Sequence, residues 1–288
     1  MSEPVSDSSP AEGVTEPQNE LTKQFTDTEW TTLKELRAKL PDIYRSAFTT
    51  EDEEASLRPF DLWGVEIDPV NPTKDARVSV VLIKFLRARE LDVPGAVDML
   101  VATLKWRQEF KTDELLSEEF PEDVFGGVGK VFGHDKEGRP VTYNVYGGGL
   151  DMKPVFSDVK RFLRWRVQLM EKTIRLLDFE KHDQMIQVHD YEGVSFMGGR
   201  DANQKAAASE ASKIFQDNYP EFLANKYFIN VPTFATWIFW LFKPLLSAKT
   251  FAKMNVVGTG VSTVSAALLP AIGEAELPER YGGQAKAF

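Results

Sequence analysis

The chain of 288 residues contains no cysteine and only three histidines. The absence of cysteine excludes disulfides, thiolate metal ligands and cysteine nucleophiles, and it is typical of a cytoplasmic protein. No stretch reaches the roughly 20 uninterrupted apolar residues that span a bilayer, and the first residues hold no apolar run that would serve as a signal peptide. We therefore expect neither a transmembrane helix nor a cleaved leader.

The chain also lacks a basic excess. It carries 44 acidic and 34 basic side chains and a formal net charge of -10, which argues against general nucleic-acid binding. Glycine-rich stretches do occur, but Gly126–Lys130 lacks the residues of a phosphate-binding loop and Gly147–Gly149 lacks the spacing of a dinucleotide fingerprint. Since HExxH, GxSxG and closely spaced carboxylate motifs are missing too, we expect no hydrolytic chemistry.

The hydrophobic pattern divides the chain into three parts. Residues 1–24 are acidic and hold no aromatic side chain, so we expect a disordered tail. Residues 25–120 show helical spacing that begins after a capping box at Thr26–Glu29, with a long irregular connection over residues 49–76. Over residues 121–284 strands alternate with helices, which predicts an α/β domain with a mostly parallel sheet.

One predicted strand, Met185–Gly193, carries polar residues on one of its faces. Its period of two puts hydrophobic and polar side chains on opposite sides, with Ile186, Val188 and Asp190 on one face and Gln187, His189 and Tyr191 on the other. An imidazole beside a phenol can bind a metal, relay a proton or hold a ligand. The alternative is an interior histidine and a tyrosine that simply hydrogen-bond their neighbours.

Two apolar segments interrupt this pattern. Phe60–Gly64 lies inside the irregular connection, and we expect it to dock on an apolar surface. Phe234–Phe242 is apolar on every face and lies in a helix predicted over Pro232–Leu246, inside a stretch, Phe222–Gly273, that holds four lysines and no acidic residue. Such a helix either dips into an anionic membrane interface, closes an apolar cavity or packs as an ordinary core helix.

Several motifs resemble those of the CRAL-TRIO family and occur in the family's order over residues 27–284. The N-terminal motifs are Leu82–Arg89 and Leu104–Arg107. The others, which resemble the lipid-binding part of Sec-fourteen-like phosphatidylinositol transfer proteins, are Tyr219–Phe222, Tyr227–Pro232, Leu241–Pro244 and Leu277–Gly283. The resemblance implies the CRAL-TRIO fold, in which a helical N-terminal region lies beside an α/β lipid-binding domain. It also implies that a gating helix, here Pro232–Leu246, closes the hydrophobic pocket.

In phospholipid-binding members of the family, a glutamate and a lysine contact the inositol phosphate. The resemblance places these two roles at Glu210 and Lys243, and it adds Arg89 as a further basic contact. The family's Arg-Lys pair at the end of the N-terminal motif is Arg89-Glu90 in this chain, so one basic contact has changed sign.

A narrower resemblance is carried by Arg164–Lys172, Leu176–Phe179 and Gln187–Ser195. These segments resemble a fungal subfamily, the fifth Sec-fourteen homologues, which are non-classical phosphatidylinositol transfer proteins. The subfamily is implied to bind haem b in its pocket with a tyrosine as axial iron ligand, and to work in the cytoplasm with peripheral attachment to the endoplasmic reticulum or microsomal membrane. The residues implied to hold the haem are Tyr146, Arg166, His189, Tyr191 and Lys226.

The chemistry of this implied site is coherent. A phenol oxygen from Tyr191 is a hard donor that suits ferric iron. Because an unperturbed tyrosine titrates near pH 10, ligation as phenolate needs the iron and a nearby cation such as Arg166. We expect His189 to hydrogen-bond the ligand or lie against the porphyrin, Lys226 to pair with a propionate, and Tyr146 to line the pocket or donate a hydrogen bond.

The resemblance therefore predicts a protein that is not an enzyme. It would bind haem b and move phosphatidylinositol between membrane surfaces, with a role in phosphoinositide homeostasis or oxidant stress, and without nucleic acid or a stable protein partner. One alternative is a haem enzyme of peroxidase or catalase type, against which the lack of an evident distal acid–base pair argues. The other is a phosphatidylinositol carrier without haem, in which the five residues only line the pocket.

Overall fold

The computed structural model describes residues 16–48, 56–194, 202–235 and 251–288 of the chain. Its N-terminal half is mainly helical and comprises α1 (Asp27–Ala38), α2 (Leu40–Ala47), α3 (Ala76–Arg87), α4 (Val93–Phe110), α5 (Thr112–Leu115) and α6 (Glu122–Phe125). The predicted capping box is confirmed, because the Thr26 side chain accepts from the Glu29 amide while the Glu29 carboxylate accepts from the Thr26 amide. Aspartate N-caps begin α3 and α4, at Asp75 and Asp92.

The connection before α3 contains a β-hairpin that the sequence reading described as irregular. Strands β1 (Phe60–Leu62) and β2 (Val65–Ile67) pair antiparallel across a turn whose two residues, Trp63 and Gly64, both have positive φ. Such two-residue turns match the twist of paired strands. The predicted docking of this segment is confirmed, since the Trp63 ring is buried against Phe85 and Phe222 with centroid distances of 5.6 and 4.6 Å.

The segment before α1 is ordered where composition predicted a disordered tail. The Asn19 side chain accepts from the amides of Leu21 and Thr22 and donates to the carbonyl of Phe179. These local and long-range bonds support a short 3-10 turn at Thr22–Gln24. The predicted tail therefore does not extend through residues 16–24, and residues 1–15 lie outside the described part.

The C-terminal part is built on a five-stranded sheet. Its strands are β3 (Gly129–His134), β4 (Pro140–Val145), β5 (Met185–Asp190), β6 (Leu223–Ile229) and β7 (Met254–Val256), arranged in the order β3-β4-β5-β6-β7. Only the pairing of β3 with β4 is antiparallel within this sheet, and the other three pairings are parallel. The helices that accompany it are α7 (Lys153–Phe156), α8 (Val159–Ile174), α9 (Ala202–Asn218) and α10 (Val261–Leu268). The predicted α/β domain with a mostly parallel sheet is confirmed.

The two faces of the sheet are covered by different parts of the chain. On the outer face Val141, Ile186 and Val188 pack with α10 and with Leu277 and Tyr281 of the C-terminal segment. On the inner face α8 lies close to β3 because Gly129 has no side chain. A Cβ at that position would stand 2.7 Å from atoms of both Leu169 and Trp165. The gating helix predicted at Pro232–Leu246 lies largely outside the described residues, which show only a 3-10 turn at Thr233–Ala235.

No helix among the described residues is both long enough and apolar enough to cross a bilayer.

A buried lysine joins the helical region to the sheet domain. Lys84 of α3 is 0% exposed, and its ammonium donates to the Asp183 carboxylate at 2.8 Å and to the carbonyls of Asp183 and Glu221 at 2.7 and 3.1 Å. The same ammonium lies 4.4 Å from the centroid of the Phe222 ring. Burial lowers the pKa of Lys84, while Asp183 raises it. The position of α3 against the strands β5 and β6 therefore depends on this cation.

We expect Lys84→Met to lower the free energy of unfolding by about 3 kcal/mol, because it leaves Asp183 and two carbonyls without their donor. Urea unfolding followed by circular dichroism measures the change. Lys74→Met is the matched control, since Lys74 forms an exposed ion pair with Asp68 and should cost less than about 1 kcal/mol. A Lys84→Met protein as stable as the wild type would show that this link does not hold the two regions together.

Candidate functional site

The parallel register of the sheet gathers polar and aromatic residues on its inner face. In the β4–β5–β6 ladder Asn144 lies opposite His189, and His189 lies opposite Phe228. Two residues earlier along β5, Gln187 lies opposite Lys226. Because side chains of a strand alternate between faces, these positions all project to the same side. The predicted division of β5 into an apolar and a polar face is confirmed, because Ile186 and Val188 lie in the outer core.

Two tyrosines follow the carboxyl ends of neighbouring strands. Tyr146 comes directly after β4 and Tyr191 directly after β5, and their ring centroids are 5.5 Å apart. The Tyr146 ring lies 5.7 Å from His189, whose ring lies 5.5 Å from Phe228. Ligands in open α/β sheets bind beyond the carboxyl ends of the strands, which is where these rings meet.

Arg166 reaches the same place from α8, the helix that covers the inner face. It is 4% exposed, and its guanidinium carbon lies 4.9 Å from the centroid of the Phe215 ring. Burial raises the pKa of the Tyr146 phenol, whereas the charge and hydrogen bond of Arg166 favour the phenolate. Burial lowers the pKa of Arg166, and Tyr146 opposes this shift. Within the described residues Arg166 therefore has a phenol, not a carboxylate, as its polar neighbour.

Lys226 adds a second cationic group to this face. Its Nζ lies 5.2 Å from the centroid of the Phe228 ring. Burial, together with the charge of Arg166, lowers the pKa of Lys226 to about 7. No carboxylate among the described residues contributes to this shift or forms an ion pair with Lys226. The two cations thus face the same region without acidic partners, an arrangement that favours an anionic or electron-rich ligand.

His189 is neutral in this environment. It is 5% exposed, and burial lowers its pKa well below the usual value, with further lowering by the charges of Lys226 and Arg166. Its Nε2 lies 3.5 Å from the Gln187 side-chain oxygen. A neutral imidazole has one donor and one acceptor nitrogen, so His189 can hydrogen-bond a ligand without adding charge. We name Tyr146, Arg166, His189, Tyr191 and Lys226 the inner-face cluster, and the structure brings all five together.

Asn144 is a polar member of the inner face that the sequence reading missed. It is 0% exposed, its Nδ2 donates to the Val188 carbonyl at 3.5 Å, and its Oδ1 has no hydrogen-bond partner among the residues that the structure describes. Buried polar atoms are rarely left unpaired, so this oxygen indicates a donor supplied by water or a ligand. The alternation of Thr142, Asn144 and Tyr146 along β4 was the signal that could have revealed it.

Asp190 fixes the end of β5 from the opposite side of the sheet. This fully buried carboxylate accepts from the Asn230 side chain at 2.8 Å, from the Tyr281 hydroxyl at 3.0 Å and from Arg280 at 3.3 Å. It also accepts from the backbone amide of Glu192 at 3.0 Å. The residue that follows Asp190 is Tyr191, so these bonds hold the backbone from which the phenol projects.

Two of the three residues expected to contact a lipid head group lie away from the inner-face cluster. Glu210 is exposed on α9, and Arg89 is exposed just after α3, where its guanidinium donates to the Ala88 carbonyl. Within the described part of the chain, no contact joins either residue to the inner-face cluster. Lys243 lies outside the described residues.

The described part of the chain contains no group of three His, Asp or Glu side chains placed to hold a metal ion. A small cavity of about 280 Å³ lies at the carboxyl ends of β5 and β6, on the Asp190 side, and is lined by Glu192, Asn230, Thr259, Arg280 and Tyr281 among others. Its acidic and basic side chains pair with one another, so it differs in charge from the inner-face cluster.

Comparison with known proteins identifies two matching family models. The CRAL/TRIO domain matches residues 125–283, and the CRAL/TRIO N-terminal domain matches residues 32–102. Among solved structures, the crystal structure of Sfh5 superimposes with a TM-score of 0.72 at 30% sequence identity, over 91% of this chain and 89% of that chain.

The curated relatives include lipid-transfer proteins and a plant protein. "Phosphatidylinositol transfer protein sfh5" of Botryotinia fuckeliana is 37% identical over 88% of this chain and 57% of its own length. Patellin-3 of Arabidopsis thaliana is 37% identical over 82% of this chain and 47% of its own length. The chain thus spans less than two thirds of the length of these relatives.

The low pKa of Lys226 predicts a particular pH dependence of stability. The unfolded chain keeps this amine protonated up to a pH of about 10.4, whereas the folded chain releases the proton near pH 7. The unfolded state therefore binds more protons between these values, and the stability of the wild type should rise with pH in that window. We expect Lys226→Met to be more stable than the wild type at pH 6.5, by about 4 kcal/mol, and to lose this advantage by pH 10.

Urea midpoints at pH 6.5 and pH 10 measure this difference. Lys205→Met on the exposed surface of α9 is the control, and its difference from the wild type should be small at both pH values. A Lys226→Met protein that is less stable than the wild type at pH 6.5 would contradict the burial of an unpaired cation at this position.

Proposed function

The chain belongs to the CRAL-TRIO family, and from that premise we propose that it is a non-classical phosphatidylinositol transfer protein that also binds haem b. One observation carries the haem part of the proposal. Two tyrosines, a neutral histidine and two cations converge on one face of the sheet, and within the described residues neither cation has a carboxylate partner. The lipid part is supported by the names and fold of the relatives.

The residues of the inner-face cluster fit haem b. A porphyrin offers flat apolar faces, two carboxylates and an iron that accepts an oxygen or nitrogen donor. The Tyr146, His189, Tyr191 and Phe228 rings lie against one another with centroid distances of 5.5–6.4 Å, and this continuous aromatic surface suits the apolar faces. Arg166 and Lys226, which have no carboxylate partner in the described part of the chain, suit the carboxylates. When bound, the group would supply a redox-active iron.

Each member of the cluster has a role in this proposal. Tyr191 would provide an oxygen ligand for the iron, and the Asp190 network on the other side of the sheet holds its backbone in place. Arg166 orients the Tyr146 hydroxyl and makes a phenolate at this face less costly. His189 would remain neutral and offer a hydrogen bond, while Lys226 would pair with a propionate, which favours its protonated form.

Lipid transfer uses the wider surface of the same domain. We assign Glu210, Lys243 and Arg89 to the inositol phosphate head group and the segment Pro232–Leu246 to the gate, on the resemblance that placed these residues. The four lysines of the acid-free stretch Phe222–Gly273 favour a peripheral encounter with anionic lipid. The chain then works in the cytoplasm at the endoplasmic reticulum or microsomal surface, and it carries a ligand without catalysing a reaction.

Replacement of the two tyrosines tests which one binds iron. We expect hemin added to the wild type to give a Soret band with a tyrosinate charge-transfer band, and Tyr191→Phe to remove the charge-transfer band. Tyr146→Phe is the matched control, because it deletes the neighbouring hydroxyl and keeps the ring; it should shift the spectrum but retain the ligand band. Absorption and resonance Raman spectra of the three proteins provide the measurement.

Thermal unfolding of the hemin-free variants checks that both are folded. If Tyr191→Phe keeps the charge-transfer band and Tyr146→Phe loses it, the axial ligand is Tyr146, which the contact with Arg166 would then explain. If the wild type takes up no hemin but moves phosphatidylinositol between phosphatidylcholine vesicles, the chain is a lipid carrier without haem. Peroxide consumption by the hemin-loaded protein at an enzymatic rate would favour a haem enzyme instead.

A further inference from the structure

We propose that Lys226 is a covalent capture site, at which the side-chain amine condenses with an apolar aldehyde to form a Schiff base. The proposal concerns a function separate from haem binding and does not require it. It follows from the position of the amine on the inner face, from the aromatic rings beside it and from the lack of a carboxylate partner among the described residues.

The position of Lys226 places its amine beside the aromatic side chains of the inner face. The side chain projects from β6 onto the inner face, and its ladder neighbours are Gln187 of β5 and Met254 of β7. The amine lies over the Phe228 ring, with a distance of 5.2 Å from the ring centroid. The rings of His189 and Phe228 then continue the aromatic surface. A hydrocarbon chain bound along this face would bring a terminal carbonyl to Nζ.

The surroundings also leave the amine free to react. Lysines in ion pairs are held as ammonium groups, which cannot attack a carbonyl, but Lys226 has no carboxylate partner among the described residues. The charged and titratable groups that act on it are Arg166 from α8, beside Tyr146, and His189 from β5. A neighbouring cation and an apolar wall are the two conditions that activate lysine nucleophiles.

The protonation state agrees with this geometry. With a pKa lowered to about 7, about half of the Lys226 amines are neutral at pH 7. A lysine with a pKa near 10.4 is neutral in fewer than about one molecule in a thousand at the same pH. Lys226 should therefore be the most reactive amine towards apolar aldehydes among the lysines that the structure describes.

The reaction balances without an oxidant or reductant. The Nζ lone pair attacks the carbonyl carbon and a carbon–nitrogen bond forms, giving a carbinolamine. The carbon–oxygen bond then breaks, and the oxygen leaves as water with the two hydrogens that the amine has lost. The product is a carbon–nitrogen double bond at Lys226, which water can hydrolyse to release the aldehyde.

Reductive trapping with decanal tests the proposal on the full-length, hemin-free chain. Decanal and sodium cyanoborohydride at pH 7 should add a single decyl group, which peptide mass spectrometry should locate on Lys226. We expect Lys226 to be labelled at least tenfold faster than the exposed Lys205 of the same chain. Lys226→Arg keeps the cation and removes the primary amine, so the fast adduct should disappear in a folded protein.

Two comparisons make the result decisive. Glyceraldehyde, a polar aldehyde, should not show the same preference for Lys226, because the aromatic face gives it no binding energy. Prior loading with hemin should slow the decanal reaction at Lys226 if both ligands use the inner face, and this result is separate from whether decanal reacts at all. Labelling at equal rates over the exposed lysines, or a fast adduct that persists in Lys226→Arg, would overturn the proposal.

Discussion

The candidate site depends on one costly arrangement, the burial of the Arg166 guanidinium beside a phenol with no carboxylate near it among the described residues. A buried charge without an acidic partner costs several kcal/mol unless another interaction offsets it. Burial and the charge of Arg166 lower the pKa of Lys226, and burial with the charges of Lys226 and Arg166 lowers the pKa of His189. Three basic groups therefore share a region in which positive charge is disfavoured. A folded protein can keep such unfavourable buried charges where a bound ligand offsets their cost.

The surrounding structure holds this arrangement in place from several sides. On α8, five residues after Arg166, the buried Glu171 carboxylate accepts from Arg107 of α4 and from the Tyr219 hydroxyl, each at 2.6 Å. These bonds tie the helix that carries Arg166 both to the N-terminal helices and to the segment before β6. Asp190 does the same for the end of β5. The cluster therefore rests on rigid elements, which is how a precise binding site is built.

Some residues of the candidate site could be predicted from the sequence and others could not, and the physical reason differs from residue to residue. The polar face of β5 was predictable because a strand's period of two is a local property, so His189 and Tyr191 stood out. Arg166 was placed only through the family resemblance, since no local rule says which helix residue meets which strand. Asn144 escaped because its significance lies in an unpaired oxygen that only packing reveals.

The errors in the N-terminal part have a similar origin. Strands of three residues, as in the hairpin around Trp63 and Gly64, are too short for a periodic signal. Residues 16–24 were assigned to a disordered tail on composition, which contains no information about the contact of Asn19 with Phe179. In both places tertiary contacts of a few side chains outweigh the local pattern.

The central claim is that the inner-face cluster binds haem b in a domain that also carries phosphatidylinositol. The most direct measurement is mass spectrometry of the small molecules extracted from the protein as purified, before and after incubation with hemin. The account predicts haem b in near-stoichiometric amount after incubation, together with phosphatidylinositol in the protein as purified. Phosphatidylinositol alone, with no retained haem after hemin and gel filtration, would contradict the haem site and leave the two tyrosines as part of the lipid pocket.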